Sequence, residues 1–148
     1  AYFSKEKYDS AMISFNTALE KNPKDIRTMI FIGDTYTQLS NKDSAIIVFE
    51  NALEMAKGDT SEATANLVTK IYGKLCSVMF KDKNANELMK YANAWIGVDP
   101  NPSWAYFYQA LAHLLKSNKD DACKSLKKSL QADPNNSNAK KLLKEYGC

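Results

Sequence analysis

The apolar positions of this chain fall into stripes with helical spacing. Between Ile26 and Leu39, the residues Met29, Ile32, Tyr36 and Leu39 share one side of a helix, with Gly33 set among them. Between Lys42 and Ala56, a second stripe is formed by Ala45, Ile46, Phe49, Ala52 and Leu53. The stretch Ser40-Asn41-Lys42-Asp43 separates the two and supplies a turn and a capping residue. Gly58 is suited to end the second helix in a left-handed conformation, and Asp59 with Glu62 predicts a capping box for the next helix. Further along, Asp99-Pro100-Asn101-Pro102 and Asp133-Pro134-Asn135-Asn136 act as punctuation, with Pro102 placed at a first helical position. No segment alternates with period two. The pattern predicts an all-helical chain.

The stripes themselves recur. Ala11, Phe15, Ala18 and Leu19 return thirty-four residues later as Ala45, Phe49, Ala52 and Leu53, and Tyr2 returns as Tyr36. In the second half, Tyr72, Cys76, Leu88 and Pro100 return at the same interval as Tyr106, Ala110, Ala122 and Pro134. Between the halves the interval is forty-three, so nine positions are extra. These are residues 60–68, which lack Gly and Pro and predict a lengthened helix from about Thr60 to Phe80, roughly 31 Å long. Gly33, Cys76 and Ala110 hold one site in the first helix of their units, and Ala45 and Ala122 hold one in the second. Small residues there let helix axes approach closely. Neither helix of a pair hides its stripe alone, so neighbouring units must stack.

This large-then-small pattern in 34-residue helix pairs resembles the tetratricopeptide repeat. Residues 26–59 carry it best, through Met29, Ile32, Gly33, Tyr36, Ala45, Phe49 and Ala52, with Lys57 where the closing proline would stand. Residues 103–134 carry it through Tyr106, Ala110, Ala122, Leu126 and Pro134, with Gln109 and His113 in place of an apolar and an aromatic residue. Residues 69–102 fit more loosely: Leu88 and Trp95 occupy small-residue sites and Ala92 an aromatic one. The resemblance implies an all-α fold, a right-handed superhelix of antiparallel helix pairs. Its divisions are a partial repeat at 1–25, a repeat at 26–59, the extension at 60–68, repeats at 69–102 and 103–134, and a capping helix at 136–146. The cap turns Leu142, Leu143 and Tyr146 inward. Ala1 falls in the middle of a repeat's first helix, which implies a piece of a longer protein.

Composition narrows the chemistry. The chain has 148 residues, 45% of them hydrophobic and 25% charged, with a net charge of +3. No apolar run reaches the roughly 18 residues a membrane span needs. The single histidine, His113, excludes a multi-histidine metal site and falls on a packed helical face. No Cys-x-x-Cys, phosphate loop or nucleophile elbow is present, so neither catalysis, nor a metal, nor a cofactor is expected. Nineteen Lys accompany one Arg, which argues against specific nucleic-acid reading. Cys76 and Cys123 lie near packing positions and Cys148 ends the chain. Their odd number and the lack of obvious pairing lean toward three thiols in a reducing, cytoplasmic compartment.

Function is expected at a surface. Trp104, Phe107, Tyr108 and Leu111 run along the helix that starts the last full unit, on the side away from Tyr106, Ala110 and His113. In the family resembled, that side lines a concave groove that takes a partner peptide or helix. Lys70 and Lys74 lie one turn apart on the long helix, where some family members hold a peptide's terminal carboxylate. Phe31 stands where that clamp has an asparagine, so a less specific contact with an acidic peptide is implied. The expected function is a protein-interaction module whose groove comprises Trp104, Phe107, Tyr108, Leu111, Lys70 and Lys74. The alternative is self-association into a homo-oligomer through repeat stacking or the aromatic patch.

Overall fold

Each turn within a helix pair uses the same two-residue device, a left-handed residue followed by an asparagine. Ser40, Lys83 and Ser117 adopt positive φ of 59°, 54° and 58°, and each is followed by an asparagine. The asparagine N–H reaches back to a carbonyl in the preceding helix: Asn41 to Tyr36 at 2.8 Å, Asn84 to Met79 at 3.0 Å, and Asn118 to His113 at 2.8 Å. This is the Schellman arrangement, which satisfies carbonyls the helix end leaves unpaired. The asparagine side chain then caps the next helix by accepting from the N–H of Ser44, Glu87 or Asp121. One residue ends a helix and the next begins another.

The computed structural model describes residues 5–22 and 25–148, and Tyr2 and the start at Ala1 lie outside the described residues. Among the described residues there are eight helices and no strand: α1 (Lys5–Lys21), α2 (Ile26–Gln38), α3 (Lys42–Ala56), α4 (Glu62–Lys81), α5 (Ala85–Val98), α6 (Ser103–Leu115), α7 (Lys119–Ala132) and α8 (Ser137–Glu145). The chain divides into two compact units at Ile71 and Tyr72, within α4. The extension at 60–68 is helical from Glu62 onward and runs without a break into residues 69–81, so α4 has 20 residues and is about 30 Å long. Its start differs from the expected capping box. Ser61, not Asp59, caps the helix, its hydroxyl accepting from Thr64 N–H at 3.3 Å. Asp59 instead accepts from Ser61 N–H at 2.9 Å and from the Thr64 hydroxyl at 2.7 Å. The Ser61 backbone N–H, then the Thr64 and Ser61 hydroxyls, hold the Asp59 carboxyl below its ordinary range.

In the first unit, α2 packs against both α1 and α3. The Phe49 ring is fully buried and lies directly on Gly33; a Cβ built on Gly33 would sit 2.6 Å from Phe49 Cζ. Only glycine permits this approach. Ala45 and Ala52 on α3 are likewise fully covered.

In the second unit, α5 packs on α6, α6 on α7, and α7 on α8. Cys76, Ala110 and Ala122 are buried, as their small-residue sites require. The loosely matching unit uses an exchange of sizes. Trp95 is large where a small residue is usual, and Gly73 opposite it is small, with 3.3 Å between a Cβ built there and Trp95 Cη2. Gln109, polar where an apolar residue is usual, joins three helices: its amide donates to Asn93 at 2.9 Å and accepts from the Ser125 hydroxyl at 2.7 Å. Pro102 takes the N-cap position of α6 rather than its first turn. Its ring provides no side-chain acceptor, and the first turn is held elsewhere. Ser103 is buried and meets Ser129 hydroxyl to hydroxyl at 3.1 Å, while Asn136 donates to Ser103 Oγ at 3.0 Å. The Asn136 side-chain oxygen also accepts from Ala139 N–H at 3.1 Å, so one buried amide caps α8 and fastens it to α6.

Two expectations are corrected at the end of the chain. Tyr146 is not inward: α8 ends at Glu145, and Tyr146 is its exposed C-cap. The cysteines are not three thiols. Cys123 and Cys148 form a disulfide across 5.7 Å between Cα atoms, leaving Cys76 as the free cysteine. The pairing removes the basis for a lean toward a reducing, cytoplasmic compartment. Twenty-five residues of sequence separate the two sulfurs, and only the docking of α8 onto α7 brings them together.

This packing predicts opposite outcomes for two glycine substitutions. Gly33→Ala is expected to destabilise by about 1–3 kcal/mol through overpacking against Phe49, despite alanine's better helix propensity. At Gly97 on α5 an added Cβ would meet nothing within 4 Å, so Gly97→Ala is expected to stabilise by up to about 1 kcal/mol. Urea midpoints of the two variants should move in opposite directions. Burial pushes the Cys76 thiol up to about 12. At pH 8 about one such thiol in ten thousand is ionised, so alkylation of Cys76 in the native protein should proceed only as fast as the fold opens, measured by mass spectrometry with and without urea.

Candidate functional site

An aromatic run on α6, Trp104, Phe107 and Tyr108, forms a cluster in the second unit. Trp104 meets Phe107 edge-on at 5.3 Å between ring centroids, and Phe107 meets Tyr108 edge-on at 5.7 Å. Tyr108 also approaches Trp95 of α5 at 6.0 Å. Such tilted and edge-on contacts suit the quadrupoles of the rings, and they hold each ring against its neighbours. Burial, and then the neighbouring Cys76, raise the pKa of Tyr108 above the ordinary phenol value; a hydrogen bond with Ser77 works the other way. Its hydroxyl is therefore neutral across the physiological range.

Beside this run lies a cavity of about 390 Å³. Its apolar lining comes from Phe80 near the end of α4, from Phe107, Tyr108 and Leu111 of α6, and from Leu142 of α8. Asn138, Lys141 and Glu145, also on α8, supply the polar lining. The α8 contributions follow the i, i+3, i+4, i+7 rule, so that one face of a nine-residue helix forms one wall. Aromatic and aliphatic walls with a few polar groups at the edge are typical of small recognition pockets.

The structure places the expected residues unevenly. Phe107, Tyr108 and Leu111 come together in the cavity lining. Phe107 and Leu111 are only 8% and 9% exposed, so the chain itself already covers most of their surface. Trp104 is 44% exposed and adjoins the cavity through its contact with Phe107. Lys74, partly covered, belongs to the second unit but not to the cavity lining. Lys70, one turn earlier on α4, is exposed and belongs to the first unit.

Sequence reasoning missed Phe80, which is 39% exposed, and the whole α8 face. The signals were present. Phe80 is the last apolar residue before the polar stretch Lys81-Asp82-Lys83, where a helix end has no stripe left to continue. Asn138, Lys141, Leu142 and Glu145 recur at helical spacing, but only the docked helix shows which face of it lines a cavity. Among the described residues, no group of three or more His, Cys, Asp or Glu could hold a metal ion, and no helix is long and apolar enough to cross a membrane.

Known proteins match this arrangement at the level of fold. Residues 26–59 match the family model described as tetratricopeptide repeat. No curated protein sequence matches the chain. Among solved structures, MamA aligns over 99% of this chain and 84% of its own, with a TM-score of 0.74 and 18% identity. MamA from Desulfovibrio magneticus RS-1, residues 41 to the end, aligns over 95% and 75%, with a TM-score of 0.75 and 15% identity. The C-terminal TPR-containing domain of a Plasmodium falciparum protein described as FK506-binding aligns over 98% and 91%, with a TM-score of 0.61 and 14% identity. Identities this low speak to fold alone. Residues 26–59 thus match a tetratricopeptide repeat, and the chain as a whole shares the helix-pair architecture of these solved structures.

Proposed function

We propose that this chain is a non-catalytic protein-interaction module that receives a segment of a partner protein in the groove between α6 and α8. The observation that carries this reading is the 390 Å³ cavity, walled by Phe107, Tyr108, Leu111 and Leu142 and flanked by the half-exposed rings of Phe80 and Trp104. A partner's apolar side chain enters the cavity and its backbone or flanking residues lie along Trp104. Phe107 and Leu111 shape the cavity, while Trp104 and Phe80 have surface left to bury. Lys74, on α4 in the same unit, contributes charge that favours an acidic segment, acting on orientation and association rate more than on affinity.

A second reading is self-association by repeat stacking. It is favoured by the first unit, where Phe31 is 57% exposed and stacks on Phe15 at 5.6 Å, and where Ile13 and Ile47 are also open. Mass measured against protein concentration, with no partner present, separates the two readings.

The partner can be captured with a photoreactive phenylalanine analogue in place of Trp104 and then titrated by calorimetry. Trp104→Ala and Phe80→Ala are each expected to weaken binding about tenfold, the equivalent of about 1.4 kcal/mol, with helicity unchanged. Lys74→Ala should weaken it less, and mainly at low salt. Unchanged affinity in both aromatic variants would remove the groove from the binding surface.

A further inference from the structure

The helix that forms one wall of the groove is pinned at both ends by different chemistry. At its start, the buried Asn136 side chain donates to Ser103 Oγ at 3.0 Å and accepts from Ala139 N–H at 3.1 Å. At its far end, the chain turns at Gly147, whose φ of +67° is of the left-handed kind that glycine adopts without strain. Gly147 N–H reaches Lys144 O at 3.2 Å and Cys148 N–H reaches Leu143 O at 3.1 Å, the Schellman arrangement again. This turn carries Cys148 back toward α7, where it is bonded to Cys123.

Between the two pins α8 has nine residues, of which only Ala139, in the first turn, is buried. A helix this short has little stability of its own in water. Leu142 and Leu143 are each only partly covered, so apolar burial weakens toward the end that the disulfide holds. Lys141, Leu142 and Glu145, three of the four α8 residues lining the cavity, lie in that half.

We propose that the Cys123–Cys148 disulfide is a redox-sensitive staple that keeps α8 in place as a wall of the groove, so that reduction loosens α8 from its C-terminal end and dismantles the wall. The reductant is a dithiol. One of its thiolates attacks Sγ of Cys148, which is exposed where Cys123 is partly covered, and the Cys123 sulfur leaves and takes up a proton. The dithiol's second thiolate then displaces Cys148 from the mixed disulfide. Two electrons and two protons pass to the protein, giving two thiols, and the dithiol leaves as a cyclic disulfide. Asn136 is untouched by this exchange, so α8 frays from Cys148 inward rather than detaching. That this changes binding rests on the groove reading above; that it frees α8 does not.

The two claims are read separately on the full chain, oxidised, reduced with dithiothreitol, and as the Cys123→Ser/Cys148→Ser double variant. Amide hydrogen exchange tests the staple. Leu142 to Glu145 should exchange at least about tenfold faster in the reduced and doubly substituted proteins, Lys140 should change less, and the amides of α5 should not change. Equal exchange along α8 in the oxidised and reduced wild type overturns the proposal, whether or not the double variant folds. Titration with 1-anilinonaphthalene-8-sulfonate tests the wall. The oxidised protein should bind the dye saturably, Phe80→Ala should weaken that binding, and reduction should weaken it at least about fivefold. Equal dye affinity in both redox states overturns the link between staple and groove. Faster α8 exchange in a protein whose oxidised form binds no dye supports the staple and removes the groove reading alone.

Discussion

An α-helix with a one-sided apolar stripe has nowhere to put that stripe except against another helix, and how close the two axes come is set by the smallest side chain at the crossing. Here that limit is reached at Gly33, where the Phe49 ring takes the place a Cβ would fill. Full burial of such a ring contributes about 1.5–3 kcal/mol, more than the roughly 1 kcal/mol that glycine costs in helix propensity, so the close approach is favoured on balance. The same balance of sizes explains why the unit at 69–102 departs from the family pattern without losing the architecture. Its Trp95 is large, and Gly73 on the facing helix absorbs the difference. At both crossings a glycine stands opposite a large ring, so the residue at one position sets what fits at the other.

Close packing of this kind requires that helices be delivered to each other at fixed angles, and the turns do this with few residues. A left-handed residue followed by an asparagine closes one helix and caps the next at residues 40–41, 83–84 and 117–118. Positive φ at Ser40, Lys83 and Ser117 carries a cost that glycine would avoid, and the two backbone bonds of each Schellman turn offset it. A second device recurs between pairs. Asp25, Asp59, Asp99 and Asp133 each accept an N–H from two residues onward. Asp99 also accepts from the Trp95 indole at 2.9 Å, so the residue that shapes the linker fixes the ring that fills the crossing.

Much of the fold was legible because period and spacing are local properties. The helix pairs, the buried sites of Gly33, Ala45, Cys76, Ala110 and Ala122, and the continuity of α4 all follow from residues within a few turns of one another. Expectations failed where the result depends on how the chain enters an element or on distant partners. Asp59 and Ser61 are both competent caps, and only the geometry of the entering chain decides that Ser61 takes the role. The Cys123–Cys148 pairing depends on α8 lying along α7 and on the left-handed turn at Gly147 that aims Cys148. The candidate site was half legible for the same reason. Phe107, Tyr108 and Leu111 belong to one stripe, but Phe80 and Leu142 join them only through tertiary packing.

The polar residues inside the second unit explain why the groove wall has one firm end and one conditional end. Ser103, Ser129 and Asn136 are buried, and a buried polar group is costly unless its hydrogen bonds are made. Here they are made with one another across three segments, and among the described residues no buried side-chain polar atom lacks a partner. Each serine hydroxyl also donates to the other serine's backbone carbonyl, so the network ties α6 to α7 through several bonds at once. The start of α8 therefore moves only if α6 and α7 move with it. Its far end has no such network; Lys144, Glu145 and Tyr146 face solvent, and a single covalent bond replaces many cooperative ones. A hydrogen-bond network responds to temperature and denaturant together with the rest of the core, whereas a disulfide responds to a chemical reagent alone. Placing the first at one end of a nine-residue helix and the second at the other gives that helix a hinge and a latch, and the groove residues Lys141, Leu142 and Glu145 lie on the latch side.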